Sequence, residues 1–155
     1  MNIDQVMKKN VQACGPNDSA KRAAQLMWDQ DIGCLPVVDA DQRPIAMITD
    51  RDLLMALHLT GRGLEAVRVS EAMSKKVFVA RQGDSVQAAA HVMRDKQIRR
   101  LPVVDTAGKL VGIATLNDLA LAGGSSREVR PEEVTATLAS ICQPRHPPQQ
   151  ALGRV

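Results

Sequence analysis

Two stretches, Asn17–Asp39 (NDSAKRAAQLMWDQDIGCLPVVD) and Gly83–Asp105 (GDSVQAAAHVMRDKQIRRLPVVD), are one pattern written twice, 66 residues apart. The match runs without a gap from Ile3–Ala56 onto Val69–Ala122. Between Met7–Ala56 and Met73–Ala122, 19 positions are identical, where about three would coincide by chance. The chain is an internal duplication, so its fold follows from one unit packed on its copy.

Each unit has the same order of signals. A short extended piece comes first, Asn10–Ala13 or Lys76–Ala80. Asp18-Ser19 and Asp84-Ser85 supply side-chain oxygens that cap the helix that follows. Ala20, Ala23, Ala24 and Met27 share one helical face, as do Val86, Ala89, Ala90 and Met93. LPVVD then reads as a strand, opened by Pro36 or Pro102 where no ladder donor is needed. A polar turn, Ala40–Arg43 or Thr106–Lys109, leads to a second strand, Pro44–Ile48 or Leu110–Ala114, predicting a hairpin. A closing helix starts at Asp50 or Leu116, capped by Thr49 or Thr115. One such unit cannot bury both faces of its sheet. The expected fold is therefore α/β (α+β): tandem βαββα repeats packed with pseudo-two-fold symmetry, with paired clefts between the sheets. The boundaries expected are 1–58 for repeat one, 59–68 for a connection carrying Gly61 and Gly63, and 69–122 for repeat two. In the remaining tail, Gly123–Ser126 reads as a flexible linker, 131–141 as a short helix begun by proline, and 143–155 as disordered.

Composition narrows the function classes. With one Trp, one Phe and no Tyr, there is little to stack on bases, and the basic residues are scattered. A net charge of +3 favours anionic ligands but argues against a nucleic-acid surface. Cys14, Cys34 and Cys142 make an odd set without a Cys-x-x-Cys pair, as in a reducing compartment. No apolar run is long enough to span a membrane, and MNIDQVMKKN is not a signal peptide. A cytoplasmic protein is expected. His58, His91 and His146 stand apart from any metal-ligand cluster. No nucleophile–base pair and no Walker or Rossmann glycine motif occurs, so neither enzyme chemistry nor a metal or catalytic cofactor is expected.

LPVVD in both copies is followed by Ile48-Thr49-x-x-Asp52 and Ala114-Thr115-x-x-Asp118; Met27–Ile32 and Met93–Ile98 precede it. With the leading I-x-x-V-M and V-x-x-A-M segments, these residues resemble the CBS domain, and the pair resembles a Bateman module, over residues 3–122. The resemblance implies dimers that stack two modules into a disc. It implies regulatory binding of an adenosine-containing ligand (AMP, ADP, ATP, S-adenosylmethionine or NAD(H)) and transmission of the bound state to a target protein. With no partner domain fused, the chain is similar to the stand-alone bacterial type.

The candidate site follows. Thr49 and Asp52, and likewise Thr115 and Asp118, sit where a strand meets a helix N-terminus, where free N–H groups and the dipole favour phosphate. The threonine hydroxyl can donate to phosphate and the carboxylate can accept from ribose hydroxyls. Thr-x-x-Asp is equally a capping pattern, and a cap leaves one carboxylate oxygen for a ligand. By resemblance, an adenine slot is lined by Val11, Ala13 and Cys14 with Gly33, Cys34, Leu35 and Pro36. In copy two it is lined by Val77, Val79 and Ala80 with Arg99, Arg100, Leu101 and Pro102; Ile48 and Ala114 adjoin the threonines. Core packing explains most of these as well, and Val37, Val38, Val103 and Val104 are core. Arg99, Arg100 and Arg51 are candidates for holding phosphates. Their counterparts Gly33, Cys34 and Asn117 lack charge, so two unequal sites are expected. Ala46 stands where copy two keeps Gly112, and its extra methyl is expected to crowd the backbone beside site one. Cys14 and Cys34 could share a pocket as a thiol switch, although inert buried thiols are favoured. The competing functions are an interaction module with degenerate pockets, using 127–141 as its contact segment, and a weak single-stranded nucleic-acid binder.

Overall fold

The computed structural model describes residues 1–126 and 128–144. Its elements follow the duplication. Repeat one holds α1 (Ala20–Asp29), β1 (Cys34–Val38), β2 (Pro44–Thr49) and α2 (Asp50–Thr60). After a short α3 (Val69–Ala72), repeat two holds β3 (Ala80–Arg81), α4 (Val86–Lys96), β4 (Arg100–Val104), β5 (Leu110–Thr115) and α5 (Leu116–Ser125). A last helix, α6, spans Pro131–Cys142. The fold is mixed α+β, with β1–β2 and β4–β5 antiparallel in the same register, Cys34 opposite Thr49 and Arg100 opposite Thr115.

The caps form as the sequence predicts. Ser19 and Ser85 oxygens accept the amides of Arg22 and Ala88 at 3.2 and 3.1 Å. The small faces of α1 and α4 are buried, with Ala20, Ala23 and Met93 at 0% exposure. The aspartate that ends LPVVD builds the hairpin turn. Asp39 Oδ1 accepts the amides of Asp41 and Arg43, and Asp105 Oδ1 those of Ala107 and Lys109. Both turns need a left-handed residue, Gln42 (φ 65°) and Gly108 (φ 80°). They meet each other, with the Leu110 amide donating to the Gln42 carbonyl at 2.9 Å.

The extended pieces are shorter than expected. Asn10–Ala13 and residues 76–79 are not strands; pairing is confined to Cys14 and to Ala80–Arg81. Copy two runs further because the Gln82 amide donates to the Val104 carbonyl. Its counterpart, Pro16, has no N–H to give.

The two repeats exchange their opening turns. The Ile3 amide donates to the Asp84 carbonyl (2.8 Å) and the Val69 amide to the Asp18 carbonyl (2.9 Å). Ile3 and Met7 pack in the core of repeat two, whereas Val67 and Val69 pack in that of repeat one. Residues 59–68 thus differ from a bare connection, since Val67 has no exposed surface.

Gly123–Ser126 differs from the flexible linker expected: Gly123, Gly124 and Ser125 continue α5. Gly123 lets α6 approach, a β-carbon there coming within 3.3 Å of Val134 Cγ2. Helix α6 packs on α4 and α5, burying Thr137 completely. Its inner face is therefore spent on its own chain, and the helix within the contact segment expected at 127–141 presents its outer face, with Leu138 48% exposed. Arg127 and residues 145–155, most of the stretch expected to be disordered and His146 with it, lie outside the described residues.

Candidate ligand-binding site

Thr49 ends β2 and caps α2 in extended conformation, φ −118° and ψ 163°. Its hydroxyl oxygen accepts the Asp52 amide at 3.1 Å and donates its proton to Asp52 Oδ2 at 2.8 Å. The Thr49 amide donates to the same Oδ2 at 2.9 Å. Copy two repeats all three bonds: 3.2 Å for the Asp118 amide to Thr115, 2.6 Å between the side chains, and 2.8 Å for the Thr115 amide. Each corner is a closed capping box, worth about 1 kcal/mol to its helix.

This geometry revises the chemistry expected there. The threonine protons are committed to the carboxylates, not directed outward. The first amides of α2 are also used: Asp50 donates to the Gly33 carbonyl, Arg51 to Asp50 Oδ1, and Asp52 to Thr49. No ring of free N–H groups faces outward in copy one, contrary to expectation. What remains in both copies is Oδ1 of the aspartate, which accepts no hydrogen bond among the described residues. Asp52 is half-buried and Asp118 is 8% exposed.

The other candidates divide by burial. Leu35, Ile48, Leu101 and Ala114 have 0% exposure, and Cys14, Ala80, Cys34, Pro36 and Pro102 are also buried. These side chains form the two cores and offer almost no surface to a ligand. Val11, Ala13 and Val77 are half-buried, while Val79 is exposed. Val11, Ala13 and Cys14 do share a depression of about 500 Å³, walled further by Asp18, Arg22 and Gln42. Neither Thr49–Asp52 nor Thr115–Asp118 lines it.

Cys34, in copy one, is within the electrostatic reach of Arg99, Arg100 and Asp50. Arg51 and Arg99 are exposed and Arg100 is half-buried. None of the three makes an ion pair among the described residues. Cys14 and Cys34 are free and buried. Burial pushes the Cys14 thiol up to about 11, helped by the Asp18 carboxylate. Burial raises Cys34 as well, with Arg100 and Arg99 pulling the other way. Thiolates are the nucleophiles, so these sites disfavour redox chemistry.

The expected crowding at Ala46 proves to concern something else. Gly112 faces the exchanged arm: a β-carbon there would overlap Met7 Sδ and sit 3.0 Å from the Lys8 carbonyl. Ala46 is buried in the first core, against which Met73, the counterpart of Met7, packs. Sequence reasoning could not see this contact, because the partner segment arrives from the opposite repeat.

The CBS domain model matches residues 3–59 and again 69–124. The chain belongs to the CBS domain family. The CBS domain-containing protein YhcV of Bacillus subtilis is 38% identical over 120 residues, covering 77% of this chain and 83% of that protein. Uncharacterized protein MK0525 of Methanopyrus kandleri is 34% identical over 119 residues, 77% of this chain, and the match spans only 61% of its length. Among solved structures, CBSX2 in complex with AMP superposes with a TM-score of 0.69 at 27% identity, covering 80% of this chain and 96% of that one. The CBS domain pair of MJ0100 in complex with 5′-methylthioadenosine and S-adenosyl-L-methionine gives 0.71 at 28% identity, covering 81% and 98%. These two solved CBS pairs thus hold adenosine-containing ligands. No helix among the described residues of the present CBS pair is long and apolar enough to cross a membrane.

Proposed function

We propose that this CBS pair is a ligand-sensing regulatory module that binds an adenine nucleotide at the strand-to-helix corners of its repeats and presents the bound state to a target protein. One observation carries the reading. At two symmetry-related corners, one carboxylate oxygen is held by two hydrogen bonds from the threonine while the second oxygen is an acceptor without a partner among the described residues. A rigid acceptor-only oxygen suits a ribose hydroxyl. The three arginines without ion pairs among the described residues, Arg51, Arg99 and Arg100, suit phosphate, which favours AMP, ADP or ATP over S-adenosylmethionine. The likeness to the AMP-bound CBSX2 pair supports the same class. A bound ligand can bias the module only through unequal affinity for its conformations.

A thermal-shift panel of AMP, ADP, ATP, NADH and S-adenosylmethionine tests this. At a ligand concentration of about 100 Kd the folded state gains about 2.7 kcal/mol, or about 5–10 °C for a chain of this size. Asp52→Asn and Asp118→Asn each weaken the shift, and Arg99→Ala with Arg100→Ala weakens it most for ATP. Absence of a shift with all five ligands at millimolar concentration refutes the reading.

A further inference from the structure

The groove between α1 and α2 plays no part in the site above. It holds about 490 Å³ and is walled by Trp28, Leu53, Leu54 and Leu57, with Asp31 and Asp50 at one end. Trp28, the single tryptophan of the chain, is 83% exposed, and Leu54 is 64% exposed. Neither aspartate makes an ion pair among the described residues. An apolar slot that ends in uncompensated carboxylates suits a segment that is part apolar, part cationic and free of acids.

Repeat two shows what such a groove can take, and why this one takes something else. A shift of 66 residues carries Trp28, Asp31, Leu53 and Leu57 onto Arg94, Gln97, Leu119 and Gly123. There α6 fills the groove. Gln97 Nε2 donates to the Ser140 carbonyl at 3.1 Å, and Ser140 Oγ donates to the Arg94 carbonyl at 3.3 Å. Val134 lies against Gly123. In repeat one, Asp31 has no proton to donate to a helix carbonyl, and Leu57 stands where Gly123 admits Val134. The open groove therefore refuses a close-packed helix and leaves room for a thinner, extended chain. Prolines hold a chain extended, and such segments dock on aromatic walls.

The protein carries a segment of this kind. Residues 145–155 (RHPPQQALGRV) bring Arg145, Arg154, the pair Pro147-Pro148 and Leu152, with no Asp or Glu. Their starting point fits as well. Helix α6 ends at Cys142, with Ser140 bonded to Gln97, just ahead of Arg100 in the chain. Arg100 and Asp50 both act electrostatically on Cys34. Cys34 follows Gly33, where a β-carbon would come within 3.0 Å of Asp50 Oδ2. The segment thus sets out close to the acidic end of the open groove. Its 11 residues reach up to about 36 Å when extended, whereas the 10 residues of α1 are only about 15 Å long.

We propose that residues 145–155 fold back across repeat one and lie along the α1–α2 groove as an extended strap, with the prolines and Leu152 against Trp28 and Leu54 and the arginines at Asp31 and Asp50. The strap covers the apolar face of repeat one as α6 covers that of repeat two. Any other molecule reaches this face only by displacing it. Because the strap is tethered, its effective concentration in the groove is in the millimolar range, so its docking does not depend on protein concentration. Ligand binding at the corners plays no part in it.

Acrylamide quenching of Trp28 in the full chain tests it, read from micromolar concentrations upward. The expected result is an indole that is already shielded at the lowest concentration. Leu152→Asp, and Arg145→Glu with Arg154→Glu, each raise the quenching constant about twofold or more and shift emission to the red, as loss of a tethered contact exposes the indole. Adding Asp31→Arg to the double arginine variant recovers part of the shielding, which a nonspecific effect of the altered tail would not do. Circular dichroism and thermal melting confirm that each variant keeps its fold. Equal quenching in the parent and in both tail variants overturns the proposal. Shielding that vanishes on dilution overturns it too, because a second copy and not the strap would then cover the indole. So does a charge-swapped chain whose Trp28 stays as exposed as in the double arginine variant.

Discussion

At the residue scale, the threonine and aspartate of each corner serve the fold first. Asp52 Oδ2 takes two bonds and Thr49 Oγ1 takes one more from the Asp52 amide, which orients the carboxylate and leaves Oδ1 without a partner among the described residues, the acceptor the proposed ligand would use. At position 52, asparagine keeps one carbonyl oxygen for these bonds, whereas alanine loses both bonds to Oδ2 and costs about 1 kcal/mol; ligand affinity and stability therefore respond differently to the two substitutions. Cys14 gives a pH prediction. Its thiol ordinarily ionises near 9.0 and is pushed up to about 11 in the folded chain. Below pH 9 both states keep the proton. Between about 9 and 11 the unfolded chain releases it and the folded chain does not, so the unfolded state binds fewer protons and stability falls as pH rises. In paired melts from pH 8.5 to 10.5, Cys14→Ala shows a smaller loss of Tm than the parent chain. Equal slopes would contradict the assignment.

At the element scale, close approaches decide what each segment tolerates. Gly112 is confined by the arm that crosses from the other repeat. Gly112→Ala is expected to cost about 1–3 kcal/mol through overpacking, read as a lowered midpoint in urea, because the Lys8 carbonyl cannot rotate away as a side chain can. Helix α6 closes the face of α4 and α5 and brings Val129, only 2% exposed, into the second core. Truncation after Ser126 uncovers that surface and loses at least Val129 and Val134 from it. The expected cost is roughly 3 kcal/mol from burial alone, or about 6–12 °C in Tm, with increased binding of an apolar dye. An unchanged melt would show that α6 is not docked in solution.

At the scale of the whole molecule, the exchanged arms make the two repeats interdependent. Repeat one completes its core with Val67 and Val69, and repeat two with Ile3 and Met7. Packed side chains thus join each repeat to the other, as the proposed sensing function requires. The copies are not equal. Charged side chains at the strand entry occur only in copy two, and the open apolar groove only in copy one.

Much of this was legible in the sequence. The repeat, the helix faces, the hairpins and the four caps are local features, set by periodicity, by side-chain oxygens at helix starts and by turn aspartates. Those signals lie within a few residues of the structure they specify. What only the tertiary structure decided depends on segments far apart in the chain. The exchange of opening turns, the reason for Gly112, the burial of Leu35 and Leu101 away from any slot, and the docking of α6 through Gly123 all arise where two distant surfaces meet. A glycine pair reads as a linker in isolation and becomes a helix end when another helix needs to lie against it.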